Sequence, residues 1–311
     1  MSNEKSTEWH ERRRQGIGGS DVAAILGVSP WKTALDVYLD KIGEAPPIEE
    51  TEAMYWGNVL EDVVAQEFAR RMDVRVERRN TMFRHRKYPE LLGNIDRYIV
   101  GTGAILECKT TSGFNRDQWG EQGTDEIPMH YLCQVQHYMN VLDKKAAWVA
   151  VLIDGRDFRV YCIDRNNELC DIMTDKCVTF WRDYVLTGTP PPASNRHDVE
   201  LLYAAGGYEG TATAEPDTEQ AAMELARLKA AEKQTKKQME ELETKLKQNI
   251  GDASALVSMS GETLATWKST TSKRLDTKAL RAAEPEIATK YEKETTSRRF
   301  LLKIKTETQE N

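Results

Sequence analysis

Between Leu91 and Asp164 the chain alternates short apolar runs with glycine turns around a single helical segment, and this order limits the possible folds more than any other feature. Leu91-Leu-Gly-Asn-Ile-Asp96-Arg-Tyr-Ile-Val100 reads as a strand, Gly101-Thr-Gly103 as a tight turn and Ala104 to Thr110 as the returning strand. Tyr131 to Leu142 then carries the 3.6-residue period, with Leu132, Val135, Met139 and Leu142 on one face. Ala146 to Ile153 and Arg156 to Asp164 follow as two further strands joined at Asp154-Gly155. Upstream, Ser20 to Gly27 reads as a helix with a capping serine and a stopping glycine. Further helices are expected from Thr33 to near Gly43 and from Trp56 to Met72, with a strand over Val74 to Phe83. A helix through Phe180, Trp181 and Val185 ends the series. Helix, strands, helix, strands, helix is the order of an α/β domain.

The proline run ending at Pro192 and the Gly/Ala-rich stretch up to Pro216 mark a boundary. The expected layout is a domain over 1–195, a linker over 196–217 and an extension over 218–311. In the extension, Thr218 to Asn249 reads as a long helix whose heptad seam is spoiled at Glu232 and Thr235. A hairpin around Ser260-Gly261, a helix over Thr277 to Ala288 and a last strand through Phe300, Leu302 and Ile304 are expected after it.

The longest uninterrupted apolar stretch, Ala146 to Ile153, is far below the roughly 20 residues of a membrane-spanning helix. The first fourteen residues hold no apolar core of a secretory signal. Five cysteines without a CxxC pair fit a reducing cytoplasm better than a disulfide framework. A net charge of −7 argues against indiscriminate nucleic-acid binding, although Lys268 to Lys305 holds 11 Lys/Arg against 5 Asp/Glu. With Trp267, the cations Lys273, Arg274, Arg298 and Arg299 suit either a DNA strand or a protein partner.

Chemistry concentrates at Asp96, Glu107 and Lys109. In a strand, positions i and i+2 share a face, so Glu107 and Lys109 project together while Cys108 points away. Asp96 on the partner strand reaches the same face. Two converging carboxylates raise each other's pKa unless a cation separates them, and hard oxygen ligands suit Mg²⁺ or Mn²⁺. Lys109 can then hold the attacking water or offset charge on a phosphorane. Glu61 supplies a further carboxylate near the start of its helix. Asp-x10-Glu-x-Lys is a pattern for metal-assisted phosphodiester hydrolysis, with a buried Glu–Lys ion pair as the plain alternative.

Gly93-Asn-Ile-Asp96, Leu106-Glu-Cys-Lys109 and Gln134-Val-Gln-His-Tyr138 resemble the PD-(D/E)XK nuclease superfamily. With Arg12-Arg-Arg-Gln-Gly-Ile-Gly-Gly-Ser20-Asp and Trp56-Gly-Asn-Val-Leu-Glu61, the narrower resemblance is to the YqaJ-type viral recombinase and phage lambda exonuclease group, over about residues 10 to 190. The resemblance implies a mixed β-sheet flanked by helices and a Mg²⁺-dependent 5′→3′ exonuclease on double-stranded DNA ends. Such an enzyme leaves 3′ overhangs for a single-strand annealing protein in recombination, and its subunits form a ring trimer. Residue by residue, it implies that Asp96, Glu107 and the Cys108 backbone carbonyl bind metal, with Glu61 completing the shell. Lys109 orients the nucleophile, and Gln134 with Tyr138 one turn later fixes Lys109 or the scissile phosphate. Arg13 and Ser20 hold a terminal 5′-phosphate. Asn94 and Ile95 stand where a Ser-Pro pair often precedes the aspartate, and Asn94 can still donate to a phosphate. An endonuclease or repair nuclease of the same superfamily and an inactive DNA-binding module are the alternatives.

Overall fold

The computed structural model describes residues 9, 11–46, 49–79, 81–203, 209–292 and 298–304. The chain divides into two compact units, 1–202 and 203–311. In the first, α1 (Gly19–Ile25), α2 (Ala34–Ile42) and α3 (Glu52–Met72) precede the strands β1 (Val76–Glu77), β2 (Phe83–Arg84), β3 (Leu92–Gly93), β4 (Arg97–Ile99) and β5 (Ile105–Thr111). Helix α4 (Met129–Leu142), β6 (Ala146–Ile153), β7 (Asp157–Asp164), α5 (Asn167–Phe180) and α6 (Arg196–Leu202) complete it.

The main sheet has the order β1-β4-β5-β6-β7. Strands β5 and β6 pair in parallel, with Glu107 opposite Val149, and every other neighbour pair is antiparallel. A parallel pair cannot be closed by a hairpin, and the segment containing α4 supplies the crossover. On one face, Val135 and Met139 of α4 pack with Ile105, Val149, Val151 and Tyr161. On the other, Val64, Ala65 and Phe68 of α3 pack with Leu106, Cys108, Ala150 and Val160. The fold is therefore the expected mixed sheet flanked by helices. A third apolar cluster joins α1, α2 and α5 through Val22, Leu35, Met173 and Phe180, and buries Cys133, Cys170 and Cys177.

Several local expectations are corrected. The α1 N-cap is Gly18, not Ser20, because the Asp21 carboxylate reaches back to the Gly18 N–H at 3.0 Å and takes the capping role from inside the helix. Helix α3 starts earlier than Trp56, at Glu52, where Thr51 accepts the Met54 N–H. Val74 to Phe83 is not one strand: β1 joins the main sheet, whereas β2 pairs with β3. The run Leu91–Val100 likewise splits into β3 and β4, since Asp96 spends its side chain on the Cys108 N–H at 2.8 Å. The two glycine-containing turns have the positive φ angles that their sequences invite, at Gly101 and Gly103 and at Asp154 and Gly155.

The first unit runs past 195 to include α6, whose Asp198 is fully buried and accepts from Thr33 Oγ1 and Ser194 N, each at 2.7 Å. In the second unit, α7 (Pro216–Ile250) leaves Leu228, Met239, Leu242 and Leu246 exposed. The hairpin of β8 (Ala255–Val257) and β9 (Thr263–Thr266) turns at Gly261, which has positive φ. The helix expected over Thr277–Ala288 is two, α8 (Thr277–Ala283) and α9 (Pro285–Lys290), because the residue before Pro285 is disfavoured in the helical region and Glu284 leaves it, at φ −132° and ψ 65°. Residues 298–304 form no strand; alternation alone does not make one without a ladder partner. Among the described residues no helix is long and apolar enough to cross a membrane.

Buried His137 on α4 is expected to make the unit acid-sensitive. The Leu92 carbonyl can only accept, so Nε2 donates to it at 2.9 Å. Burial pushes the His137 pKa from its ordinary 6.5 down to about 4. A depressed folded pKa means that stability is complete above 6.5 and is lost as pH falls towards 4, on the order of 3 kcal/mol if the shift is fully expressed. Urea unfolding midpoints across that window should fall for the native chain and fall less for His137→Gln. Parallel curves would exclude His137 as the source.

Candidate active site

Strand β5 runs between the two helical layers and sorts its side chains by parity. Ile105, Glu107 and Lys109 face α4, while Leu106 and Cys108 enter the α3 side. Burying Glu107, only 3% exposed, requires partners. Its Oε1 accepts from Lys109 Nζ at 2.6 Å and from Gln134 Nε2 at 2.8 Å. Gln134 Oε1 in turn accepts from Lys109 at 3.1 Å, and its Nε2 also donates to the Tyr138 hydroxyl at 3.1 Å. Lys109 additionally lies 4.8 Å over the Tyr131 ring. The i, i+4 pair on α4 thus holds the i, i+2 pair on β5.

Glu107 Oε2 is buried and has no hydrogen-bond partner among the described residues. Beside it, burial and the Glu107 charge push the Asp96 carboxyl well above the usual range, and Lys109 only partly offsets them. Burial raises Glu107 as well, against Lys109 and with the Glu61 charge. Lys109 is driven the other way: burial disfavours its charge, but Glu107 and Asp96 outweigh that and keep the ammonium protonated.

This arrangement has more negative charge than its single lysine neutralises, and an unfilled oxygen. Among the described residues no group of three or more His, Cys, Asp or Glu is arranged to hold a metal ion. What the site does hold is two hard carboxylates, Asp96 and Glu107, with the Cys108 N–H bonded to Asp96. Such a set suits a hard cation that keeps several of its waters, which describes Mg²⁺ and Mn²⁺.

Glu61 stands differently from the sequence expectation. Its Oε1 accepts from buried Arg97 at 2.7 Å, and Arg97 also donates to Asp62 at 2.9 Å. Its charge still reaches Asp96 and Glu107, but its side chain is held by β4. Arg97 escaped the sequence reading, although an arginine inside Ile95 to Val100 was a signal. Tyr131 and the buried Asp21–Lys41 pair escaped it as well.

Of the three residues expected at a phosphate, Arg13 and Ser20 are in contact. Arg13 Nη2 donates to Ser20 Oγ and lies 3.7 Å from Asp21 Oδ1. Asn94 is exposed in the link between β3 and β4. Gly19 connects this end of α1 to the carboxylate cluster: a Cβ there would sit 2.5 Å from Tyr138 Cε1 and 3.0 Å from Gln134 Cγ. Tyr138 is buried and hydrogen-bonded, so it cannot yield cheaply. Gly19→Ala is therefore expected to cost about 1–3 kcal/mol of stability and to lower catalytic rate more than substrate affinity. Unchanged thermal midpoint and rate would show that α1 moves aside freely.

Fold and site together define an α/β protein whose mixed sheet presents a buried, acidic, lysine-bearing centre. The chain belongs to the family described as the YqaJ-like viral recombinase domain, whose model matches residues 8–145. The uncharacterized protein YqaJ of Bacillus subtilis (strain 168) is 40% identical over 303 residues, covering 95% of this chain and 93% of that protein. The uncharacterized protein R354 of Acanthamoeba polyphaga mimivirus is 23% identical over 182 residues, 55% of this chain and 31% of its own length. Among solved structures, the alkaline exonuclease LHK-Exo from Laribacter hongkongensis has 14% identity and a TM-score of 0.49, covering 59% of this chain and 94% of its own. A phage related exonuclease from Haemophilus somnus 129PT has 16% identity and a TM-score of 0.47, covering 56% and 95%.

Proposed function

We propose that this protein is a Mg²⁺-dependent 5′→3′ exonuclease, with Mn²⁺ able to substitute, that digests double-stranded DNA from its ends. The observation that carries the reading is the buried Glu107 Oε2, without a hydrogen-bond partner among the described residues, beside Asp96 and Lys109. A divalent cation there supplies Lewis-acid polarisation of a phosphodiester oxygen and a reactive water at neutral pH. The protein does the rest. Lys109 offsets the charge that grows on the phosphoryl oxygens. Gln134 fixes both Lys109 and Glu107, and Tyr138 fixes Gln134.

The Arg13–Ser20 contact supports end recognition, since a terminal-phosphate clamp has no use in an endonuclease. The 5′→3′ polarity, a 3′ overhang passed to a single-strand annealing protein, a ring trimer and action in a host cytoplasm follow from the family resemblance. The family's description as a viral recombinase supports the recombination role. The test is digestion of linear duplex DNA bearing 5′-phosphate or 5′-hydroxyl ends, beside a closed circle, with Mg²⁺ or EDTA. The expected result is loss of 5′-end nucleotides from the phosphorylated linear DNA alone, stopped by EDTA. A cut circle would replace the proposal with an endonuclease, and metal-independent binding without cutting would replace it with a DNA-binding module.

A further inference from the structure

Three aromatic rings lead from solvent to the Lys109 ammonium. Trp31, in the break between α1 and α2, is 68% exposed, although tryptophan is on average a well-buried residue. His130, near the start of α4, meets Trp31 edge to face with ring centroids 4.6 Å apart. Tyr131 lies 4.0 Å from His130 and 6.4 Å from Trp31, and the Lys109 ammonium sits 4.8 Å above its ring. The outer end of this row is an open aromatic surface and its inner end is a fixed positive charge.

A nucleotide has the same two halves, a flat π-system and an anion. We infer that the Trp31–His130–Tyr131 row is a nucleobase-stacking subsite for a nucleotide of the strand whose phosphate reaches Lys109. The inference rests on the nuclease reading of that site. Stacking on aromatic faces tolerates any base, as an enzyme that digests arbitrary sequence requires. The continuity of the row with Lys109 selects the occupant: a protein segment docking on Trp31 would have no use for the cation at its inner end. Trp31 therefore acts as the outer plate that holds the base while Lys109 holds the phosphate.

The experiment measures binding of 5′-phosphorylated duplex DNA by fluorescence anisotropy in EDTA, so that no cleavage intervenes. The DNA carries either normal bases or an abasic nucleotide at one of the two 5′-terminal positions. Trp31→Ala is expected to weaken binding to intact DNA roughly tenfold, and Trp31→Phe much less. On the matching abasic DNA, Trp31→Ala and the native protein should bind alike. A 2-aminopurine at the same position should be quenched by the native protein and less by Trp31→Ala. Equal weakening on intact and abasic DNA, or none on either, would overturn the stacking subsite and leave the nuclease reading standing. A native protein that binds no DNA end would overturn both.

Discussion

Lys109→Ala should lower the single-turnover cleavage rate by about 10²–10³-fold while leaving the fold intact. The first loss is direct, since a positioned cation facing developing phosphoryl charge contributes on that scale. The second comes through Glu107. Without the Lys109 bond at 2.6 Å, Glu107 keeps only the Gln134 donor, and its buried carboxyl moves further towards the neutral acid, which holds a metal poorly. The variant should therefore also bind Mn²⁺ more weakly in calorimetry, a readout independent of turnover. Lys109→Arg is expected to recover little, because a forked guanidinium cannot repeat the compact contacts with Glu107, Gln134 and the Tyr131 ring. A Lys109→Ala protein that cuts within tenfold of the native rate would return Glu107 and Lys109 to the status of a structural ion pair.

Lys41→Met should destabilise the first unit by about 3–5 kcal/mol, the usual cost of orphaning one member of a buried pair. Lys41 and Asp21 are fully enclosed side chains 2.7 Å apart, and Lys41 also donates to Asp40. Burial alone would raise the Asp21 pKa, but Lys41 and Arg13 overcome it and hold the carboxyl at about 2, below its ordinary 3.8. A depressed folded pKa means the pair's stabilisation is complete above 3.8 and drains away as pH falls towards 2. In urea melts the double variant Asp21→Asn/Lys41→Met should regain part of the loss. A cost below about 1 kcal/mol for Lys41→Met would mean that water reaches the pair. Asp21 caps α1, so the same variant should loosen the Arg13–Ser20 contact beside it.

Elements defined by local periodicity were legible in the chain. Strands β6 and β7 follow from apolar runs around Asp154-Gly155, and the parity of Glu107 and Lys109 follows from period two. The i, i+4 spacing of Gln134 and Tyr138 was visible too, and the structure makes it a hydrogen bond. What could not be read depends on contacts between distant segments. The break at Asp96 arises from a bond to Cys108, twelve residues on, and Arg97 reaches back 36 residues to Glu61. The start of α1 was misread because Gly-Gly-Ser-Asp offers two capping side chains and backbone geometry selects the second. Tyr131 was read as a helix residue. Its place beneath Lys109 requires the crossover that brings α4 over β5.

The bond from Cys108 N–H to Asp96 ties a chemical group to the sheet itself. One carboxylate oxygen stands in for a main-chain acceptor, so the position of Asp96 is inherited from the pairing of Arg97 with Leu106 rather than from the residues just before it. Those residues are thereby released from the task of aiming the aspartate. Asn94-Ile95 can therefore vary without redirecting the carboxylate, and position 94 stands exposed on the link.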